Sequence, residues 1–169
     1  MLAMALVSTL NFDNVDWGLL EALQEDARLT FAELGRRVSL SPPAVAERVR
    51  RLEDAGVLRG YHAELNLAAL GLAMQAMIRI TTSNSSECTS YARRLEDVQE
   101  VLEAQRVTGT DSYIVRVAVR SMEHLEDLLN RLAPHSGDTI TAMVLSTPVP
   151  NKVVTRELVE GQVPLSNVG

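Results

Sequence analysis

Hydrophobic positions along this chain follow two different periods. Up to about residue 65 they recur every three or four residues, which predicts amphipathic helices. Between residues 72 and 81 they alternate with polar residues, which predicts a strand buried on one face. We therefore predict an α+β protein of two domains. The predicted order is a flexible leader (1–11), a helical domain (12–65), a linker (66–71), an α+β domain (72–150) and a C-terminal tail (151–169).

The helical domain contains two capped helices separated by only three residues. Thr30 and Glu33 have the spacing of a capping box, in which each side chain accepts a hydrogen bond from the other residue's backbone N–H. Ser41 is placed as the next N-cap, and Pro42 follows where its missing N–H costs nothing. Residues 57–62 then look extended, which predicts a β wing. The pattern is that of a winged helix-turn-helix, whose second helix has the inward stripe Val45, Val49 and Leu52.

A third helix is predicted before this pair, over residues 11–27. Asp13 is a candidate N-cap, and Asp16 suits the positive N-terminal end of the helix dipole. Its inward stripe is Leu19, Leu20 and Leu23. Three helices and a wing together make a complete DNA-binding domain.

A helix-turn-helix binds DNA by placing its second helix in the major groove, where residues of the N-terminal half reach base edges. Because Arg48 borders the apolar stripe, a structural ion pair with Glu33 or Glu53 is as good an interpretation for this residue as a base contact. The alternative for the whole motif is a helical hairpin with a solvated charged face. The candidate DNA-binding residues are Thr30, Ser41, Pro42, Pro43, Ala44, Glu47, Arg48 and Arg51 at the two helix starts and the recognition helix, with Arg36, Arg37 and Arg59 for phosphates.

The charge of the chain is divided between the two domains. The whole sequence carries a net charge of −6, which by itself disfavours nucleic-acid binding. Between residues 28 and 62, however, seven arginines stand against four acidic residues, so this segment is +3 and the remainder is −9. This division predicts a basic DNA-facing domain joined to an acidic domain with another role.

The second domain has the predicted order βαββαβ, with strands over residues 72–81, 101–108, 113–120 and 139–147. This order predicts a ferredoxin-like fold, in which two helices cover one face of a four-stranded antiparallel sheet. We expect the other face to be apolar and therefore buried against a second copy in a two-fold dimer. The alternative is that the helical domain folds back over it. Residues 152–160 fit either an extra edge strand or a helix.

A glycine turn between the second and third strands is the candidate binding site of this domain. Its backbone N–H groups could converge on a carboxylate, while Asp111 could accept a hydrogen bond from an ammonium group. These are the two ends of a free amino acid, although the same composition is also that of an ordinary β-turn. The candidate effector residues are Thr108, Gly109, Thr110, Asp111, Ser112, Thr139 and Thr141.

The remaining chemistry of the sequence is sparse. Its three histidines, His62, His124 and His135, are scattered and predict neither a metal site nor a catalytic centre. The single cysteine, Cys88, excludes an internal disulfide and is expected to be a buried thiol in a reducing cytosol. The apolar leader is too short to span a bilayer. We therefore expect a cytoplasmic protein without cofactor, metal or membrane partner.

Both halves of the chain resemble one protein family. The N-terminal half is similar to the Lrp/AsnC (leucine-responsive, feast/famine) regulators in Phe12-Asp13, Leu40-Ser41-Pro42, Arg51-Leu52, Gly56-Val57 and Gly60-Tyr61. The C-terminal half is similar to their regulation-of-amino-acid-metabolism (RAM) domain in Val107-Thr108-Gly109, Thr139-x-Thr141 and Val144-Leu145-Ser146. The resemblance implies nucleoid-associated dimers that assemble further, commonly to octamers. It also implies transcription control by an amino acid bound between neighbouring effector domains.

The leading hypothesis is therefore a sequence-specific transcription regulator that binds a pseudo-palindromic DNA operator and responds to a free amino acid. One alternative is an amino-acid-sensing module that regulates an enzyme. Another is an architectural DNA-binding protein that has no effector. No catalytic arrangement is apparent, so an enzyme is the least favoured class.

Overall fold

The computed structural model describes residues 11–82, 85–133 and 138–161, with only the backbone for 85–87. The chain divides into two compact units, one of residues 1–63 with 149–169 and the other of residues 64–148. The leader before residue 11, His135 and the last eight residues lie outside the described part.

The first unit contains the three predicted helices, α1 (Asn14–Glu25), α2 (Phe31–Val38) and α3 (Pro42–Asp54). The α1 helix begins at the predicted N-cap, because the Asp13 carboxylate accepts hydrogen bonds from the N–H groups of Val15 and Asp16. Asp16 returns the contact by accepting from the Asp13 N–H at 3.2 Å. This capping box explains why α1 begins at Asn14 and not at the predicted residue 11. The helix also ends two residues before the predicted residue 27.

The turn between α2 and α3 depends on a close approach of backbone to backbone. The predicted capping box at the start of α2 is confirmed: Thr30 Oγ1 accepts from the Glu33 N–H, and Glu33 accepts from the Thr30 N–H at 2.8 Å. At its end, Leu40 donates its N–H to the Gly35 carbonyl, and a Cβ on Gly35 would lie 2.4 Å from the Leu40 oxygen. Only glycine fits there.

Ser41 stands at the N-cap of α3, but its hydroxyl makes no capping hydrogen bond. The predicted N-cap position, with Pro42 after it, is thus confirmed, whereas the capping hydrogen bond is absent. Pro42 and Pro43 both lack an N–H, so two of the first donors of the helix are absent and need no cap. The stripe of Val45, Val49 and Leu52 is buried, as predicted.

The predicted β wing is not formed, since residues 57–62 contain no strand. Among the described residues, every strand belongs to the second unit, so this segment has no partner with which to form a ladder. Instead it folds back on α3: Val57 and Leu58 donate their N–H groups to the Leu52 carbonyl, and the Tyr61 hydroxyl donates to Glu53 at 2.8 Å. Burial and this hydrogen bond raise the pKa of Tyr61 to about 12.

The second unit has the predicted ferredoxin-like architecture. Its sheet order is β2-β3-β1-β4, and all three pairings are antiparallel. The strands are shorter than predicted, and the largest difference is at the fourth, which ends at Met143 and not at residue 147. The elements are β1 (Met74–Ile80), α4 (Ser85–Glu96), β2 (Val101–Arg106), β3 (Tyr113–Val119), α5 (Met122–Leu132) and β4 (Thr139–Met143).

The two faces of this sheet differ. The face of Ile78, Val115 and Val117 packs under α4 and α5 in one apolar cluster, which also buries Cys88 and Tyr91 of α4. The Cys88 thiol donates to the Tyr113 hydroxyl, and the Tyr91 hydroxyl donates to the Leu132 carbonyl. The opposite face, which we call the open face, is mixed rather than uniformly apolar as predicted. Its residues in register include Gln75, Met77, Arg79, Ile114, Arg116, Ile140 and Ala142.

The tail forms a helix, α6 (Arg156–Glu160), which settles the alternative left by the sequence. It belongs to the first unit and is bound to α1 by side chains. The Gln24 side-chain amide donates to the Val154 carbonyl at 3.1 Å and accepts from the Val154 N–H at 2.9 Å. Glu21 accepts from the Arg156 N–H at 3.3 Å. Within the described ranges, no helix is long and apolar enough to cross a membrane.

Candidate DNA interface and effector turn

The start of α3 forms an exposed surface that contains most of the predicted base-reading residues. Ser41, Pro42, Pro43 and Glu47 are exposed, and Ala44 is half-buried. The buried stripe on the opposite side of the helix fixes which residues face outward. The surface therefore has the position and small side chains that a recognition helix needs.

Arg48 and Arg51 are held by two acidic residues at the start of α1, the N-cap Asp13 and Asp16. Arg48 Nη1 lies 2.6 Å from Asp13 and 3.0 Å from Asp16, while Arg51 Nη2 lies 2.6 Å from Asp16. We call Asp13, Asp16, Arg48 and Arg51 the α1–α3 ion cluster. The predicted partners of Arg48, Glu33 and Glu53, are thus wrong. Sequence spacing missed the true partners because they lie 32 to 35 residues away.

The electrostatics of this cluster follow from its hydrogen bonds. The backbone N–H of Asp16 and then the Arg48 guanidinium lower the pKa of Asp13. The same contacts with Asp13 and Asp16 raise the pKa of Arg48. Both shifts favour the charged forms of Asp13 and Arg48. The ion pairs of the cluster join the recognition helix to α1.

Glu47 is also ion-paired, through a residue that the sequence analysis did not include among the candidates. Arg50 binds Glu47 at 2.8 Å and Asp54 at 3.1 Å on the exposed side of α3. The separations of three and four residues were visible in the sequence as a helical charge pattern. Arg50 lies between these two carboxylates and is 62% exposed, so it belongs to the same outward surface.

The predicted phosphate-binding arginines lie on either side of α3. Arg36 and Arg37 are exposed at the end of α2, and Arg59 is exposed beyond the end of α3. Arg37 is paired with Glu25 at 3.2 Å, whereas Arg36 and Arg59 have no ion pair within the described residues. Thr30 is occupied by its capping box: its hydroxyl donates to Glu33 at 2.6 Å, and this contact lowers the pKa of Glu33.

The glycine turn of the second unit is present, and its acidic residue is already paired. Gly109 has a φ of 111°, a conformation that L side chains rarely adopt. Asp111 binds Arg79 of β1 at 2.8 Å, a partner that the sequence analysis missed. Ser112 is 2.9 Å from the Thr82 hydroxyl. The turn is thus tied by side-chain contacts to β1 and to the segment that follows it.

Thr139 and Thr141 lie on the other face of the sheet from Arg79, the partner of Asp111. They are in register with Ile80 and Ile78, which face the helices, whereas Arg79 points to the open face. The alternation along the strands contained this information, because residues in register across a sheet share a face. The part of Thr139 and Thr141 in effector binding stays a prediction.

A groove of about 520 Å³ lies between α4 and β2, lined in part by Ala92, Leu95, Ala104 and Tyr113. It contains none of the candidate effector residues. In a single chain, the candidate effector turn is therefore a surface feature and not part of this groove.

Fold and surfaces together define a class of protein: a helix-turn-helix DNA-binding module joined to a ferredoxin-like domain. Two family descriptions match it, the AsnC-type helix-turn-helix domain over residues 12–53 and the Lrp/AsnC ligand binding domain over residues 75–154. The chain belongs to the Lrp/AsnC family of transcriptional regulators.

Individual relatives agree with this assignment. The regulator LrpA of Mycobacterium tuberculosis is 42% identical over 136 residues, which cover 80% of this chain and 91% of LrpA. A Neisseria meningitidis transcriptional regulator in complex with L-methionine has a TM-score of 0.79 at 30% identity, covering 85% of this chain and 96% of its own. The feast or famine regulatory protein of M. tuberculosis, also complexed with L-methionine, has a TM-score of 0.78 at 36% identity, covering 85% of this chain and 100% of its own.

Proposed function

We propose that this regulator binds a pseudo-palindromic operator as a dimer and that a free amino acid controls its binding. DNA reading is assigned to residues 12–65, and effector binding and self-association to residues 72–150 beyond a linker at 66–71. The observation that carries the proposal is the exposed N-terminal surface of α3, fixed from behind by the α1–α3 ion cluster. The protein acts in the cytoplasm on the nucleoid and has no catalytic role.

Self-association is supported by the open face of the sheet. Met77, Ile114 and Ile140 form an apolar strip around Arg79, with Ile114 and Ile140 on either side of it in register, and Ile140 is 56% exposed. A two-fold dimer would bury this apolar strip and present two copies of α3 to two half-sites. Further association of dimers, up to octamers, is consistent with the family resemblance.

Amino-acid binding is supported by the turn at Gly109. Its backbone N–H groups could bind a carboxylate, and the ammonium group would compete with Arg79 for Asp111. Because the turn lies on the surface of one chain, a neighbouring chain would close the site. Relatives crystallised with L-methionine support this class of effector.

The first test is selection of duplexes from a random-sequence pool by the full chain, followed by gel shift of the selected duplex. We expect salt-sensitive binding and an enriched sequence with two-fold symmetry. In the same assay Arg51→Ala should weaken binding and relax sequence preference. Failure of the wild type to retain any duplex at low salt would contradict DNA regulation and favour an enzyme-regulating sensor.

The second test is a thermal-shift screen with the twenty amino acids, repeated with Asp111→Ala. We expect a shift with at least one amino acid that disappears in the variant. Glu103→Ala is the matched control, because it also removes a carboxylate paired with an arginine of the same sheet, Arg116 at 3.5 Å. The absence of any shift in the wild type would contradict the effector and leave an architectural DNA-binding protein.

A further inference from the structure

Asp16 is the one charged residue that is buried among those the structure describes. Its side chain has no exposed surface, and it is the acceptor of three contacts: the Asp13 N–H at 3.2 Å, Arg48 at 3.0 Å and Arg51 at 2.6 Å. A buried carboxylate requires such partners, because burial without them is strongly unfavourable. Two of the three come from the recognition helix.

The two arginines are held differently. Arg48 is 31% exposed and places one nitrogen between Asp13 and Asp16. Arg51 is 51% exposed and binds Asp16 through Nη2 alone. Its Nε and Nη1 have no partner in the described part of the chain. Nη2 carries two hydrogens, and the one that is not donated to Asp16 forms a two-donor edge with Nε or with Nη1. Arg51 is therefore fixed through one N–H and keeps one edge of its guanidinium free.

Arg51 also lies in line with the exposed surface of α3. Ala44, Glu47 and Arg51 follow one another at separations of three and four residues, so they form one stripe along the helix. Long side chains on a helix lean towards its N-terminus. The guanidinium of Arg51 therefore leans towards the turn of Glu47, in the direction of the DNA-facing half.

We propose that Asp16 is a positioning residue for DNA recognition, which fixes Arg51 so that its free edge can contact a guanine. The inference rests on the proposed DNA-binding function. A guanidinium held before binding loses less rotamer freedom when it pairs bidentately with a base. The negative charge of Asp16 also offsets part of the attraction of Arg48 and Arg51 for phosphates, which carry no sequence information. Both effects increase discrimination between sequences.

The test compares the affinity of the full chain for two duplexes, the one that the wild type selects from a random pool and a scrambled duplex of the same composition. For Asp16→Asn we expect the ratio of the two affinities to fall about tenfold, the value of one good base contact. Affinity for the scrambled duplex should be kept or rise, with a salt dependence steeper by about one phosphate contact. A merely structural role would lower both affinities by the same factor.

Glu25→Gln is the matched control, because it removes one carboxylate of α1 that is paired with an exposed arginine, Arg37. It should change both affinities equally and leave their ratio unaltered. If the Asp16→Asn variant does not fold, the Arg51→Lys variant is measured in its place. Lysine keeps the positive charge that Asp16 requires but lacks the paired N–H donors of the guanidinium. The same tenfold loss of ratio is expected.

Suppose that the wild type prefers the selected duplex to the scrambled one. If the folded variant then has the same ratio of affinities as the wild type, including the case in which both affinities fall by the same factor, the inference is overturned. A wild type that does not discriminate at all refutes the proposed function, and the inference with it. The two failures are therefore distinguishable in one set of measurements.

Discussion

The two units of this protein are stabilised in different ways. In the first, the buried apolar residues form two small clusters of six and three residues, and charged groups join α1 to α3. In the second, thirteen buried residues form one apolar cluster beneath the sheet, and the ion pairs lie at its margins. These counts are of the residues that the structure describes.

This difference corresponds to the difference in role. A surface that binds DNA needs arginines close to its core, and a carboxylate buried beside them keeps them in place. A domain that places turns for a ligand needs a rigid sheet, which apolar packing supplies. The first unit should therefore respond most to charge changes and the second to packing changes.

The largest effect is expected from a cavity in the second unit. Leu128→Ala removes a fully buried side chain of α5 and should lower the free energy of unfolding by about 2–5 kcal/mol. Urea unfolding followed by circular dichroism measures this, while the fluorescence of Trp17 reports on the first unit. Met122→Ala, at an exposed position of the same helix, should change it by less than about 0.5 kcal/mol. Equal effects of the two variants would contradict the apolar-core account.

A smaller effect is expected from Glu100, which joins the start of β2 to α5. Burial raises its pKa, but hydrogen bonds from His124 at 2.8 Å and Arg131 at 2.5 Å outweigh this and lower the pKa to about 2. A carboxyl whose pKa is lowered on folding stabilises the protein above its ordinary pKa near 4.5. That stability is lost as the pH falls from 4.5 towards 2.

Accordingly, Glu100→Gln should cost about 1–2 kcal/mol at pH 7, allowing for solvent screening, and almost nothing near pH 2. Unfolding by urea across this pH range checks the prediction. Glu96→Gln, at an exposed position without an ion pair in the described residues, should change stability by less than about 0.5 kcal/mol at pH 7. A cost for Glu100→Gln that did not change with pH would refute the role of its charge.

The capping of the first unit provides a matched pair of variants. Thr30→Ala removes a capping box and should cost about 1 kcal/mol. Ser41→Ala removes a hydroxyl without a capping hydrogen bond and should change stability by only a few tenths of a kcal/mol, about the usual range for surface substitutions. Thermal unfolding monitored by Trp17 fluorescence compares them. The reverse order would show that Ser41 caps α3 in solution.

The smallest effect is expected at the tail. Gln24→Ala removes both hydrogen bonds to the Val154 backbone, which we expect to cost about 1 kcal/mol or less at this exposed site. Hydrogen exchange of the Val154 amide is the sensitive measurement, and its protection should be lost. Glu25→Ala, the adjacent residue, should preserve it. Unchanged protection in Gln24→Ala would mean that the tail is held by other contacts.

Short-range rules predicted much of this structure. The capping boxes at Asp13 and Thr30 depend on residues three positions apart, so the sequence displays them directly. The change of period near residue 72 predicted the sheet, and its element order predicted the topology. The β wing was wrong because residues 57–62 favour an extended conformation locally, whereas a strand requires a partner, and none is present in the described residues.

The contacts that shape the sites could not be predicted in the same way. Asp16 meets Arg48 and Arg51 across 32 and 35 residues, and Asp111 meets Arg79 across 32. Such pairs depend on how whole elements pack. By contrast, the pairing of Arg50 with Glu47 was available from helical spacing.

The proposed function requires that the second unit joins two chains so that their first units bind one operator together. The most direct measurement is sedimentation of the full chain at micromolar concentration, alone and with the selected duplex. We expect dimers or larger assemblies without DNA, and two recognition helices bound to each symmetric duplex. Single chains in solution that bind one at a time to a duplex without symmetry would contradict it.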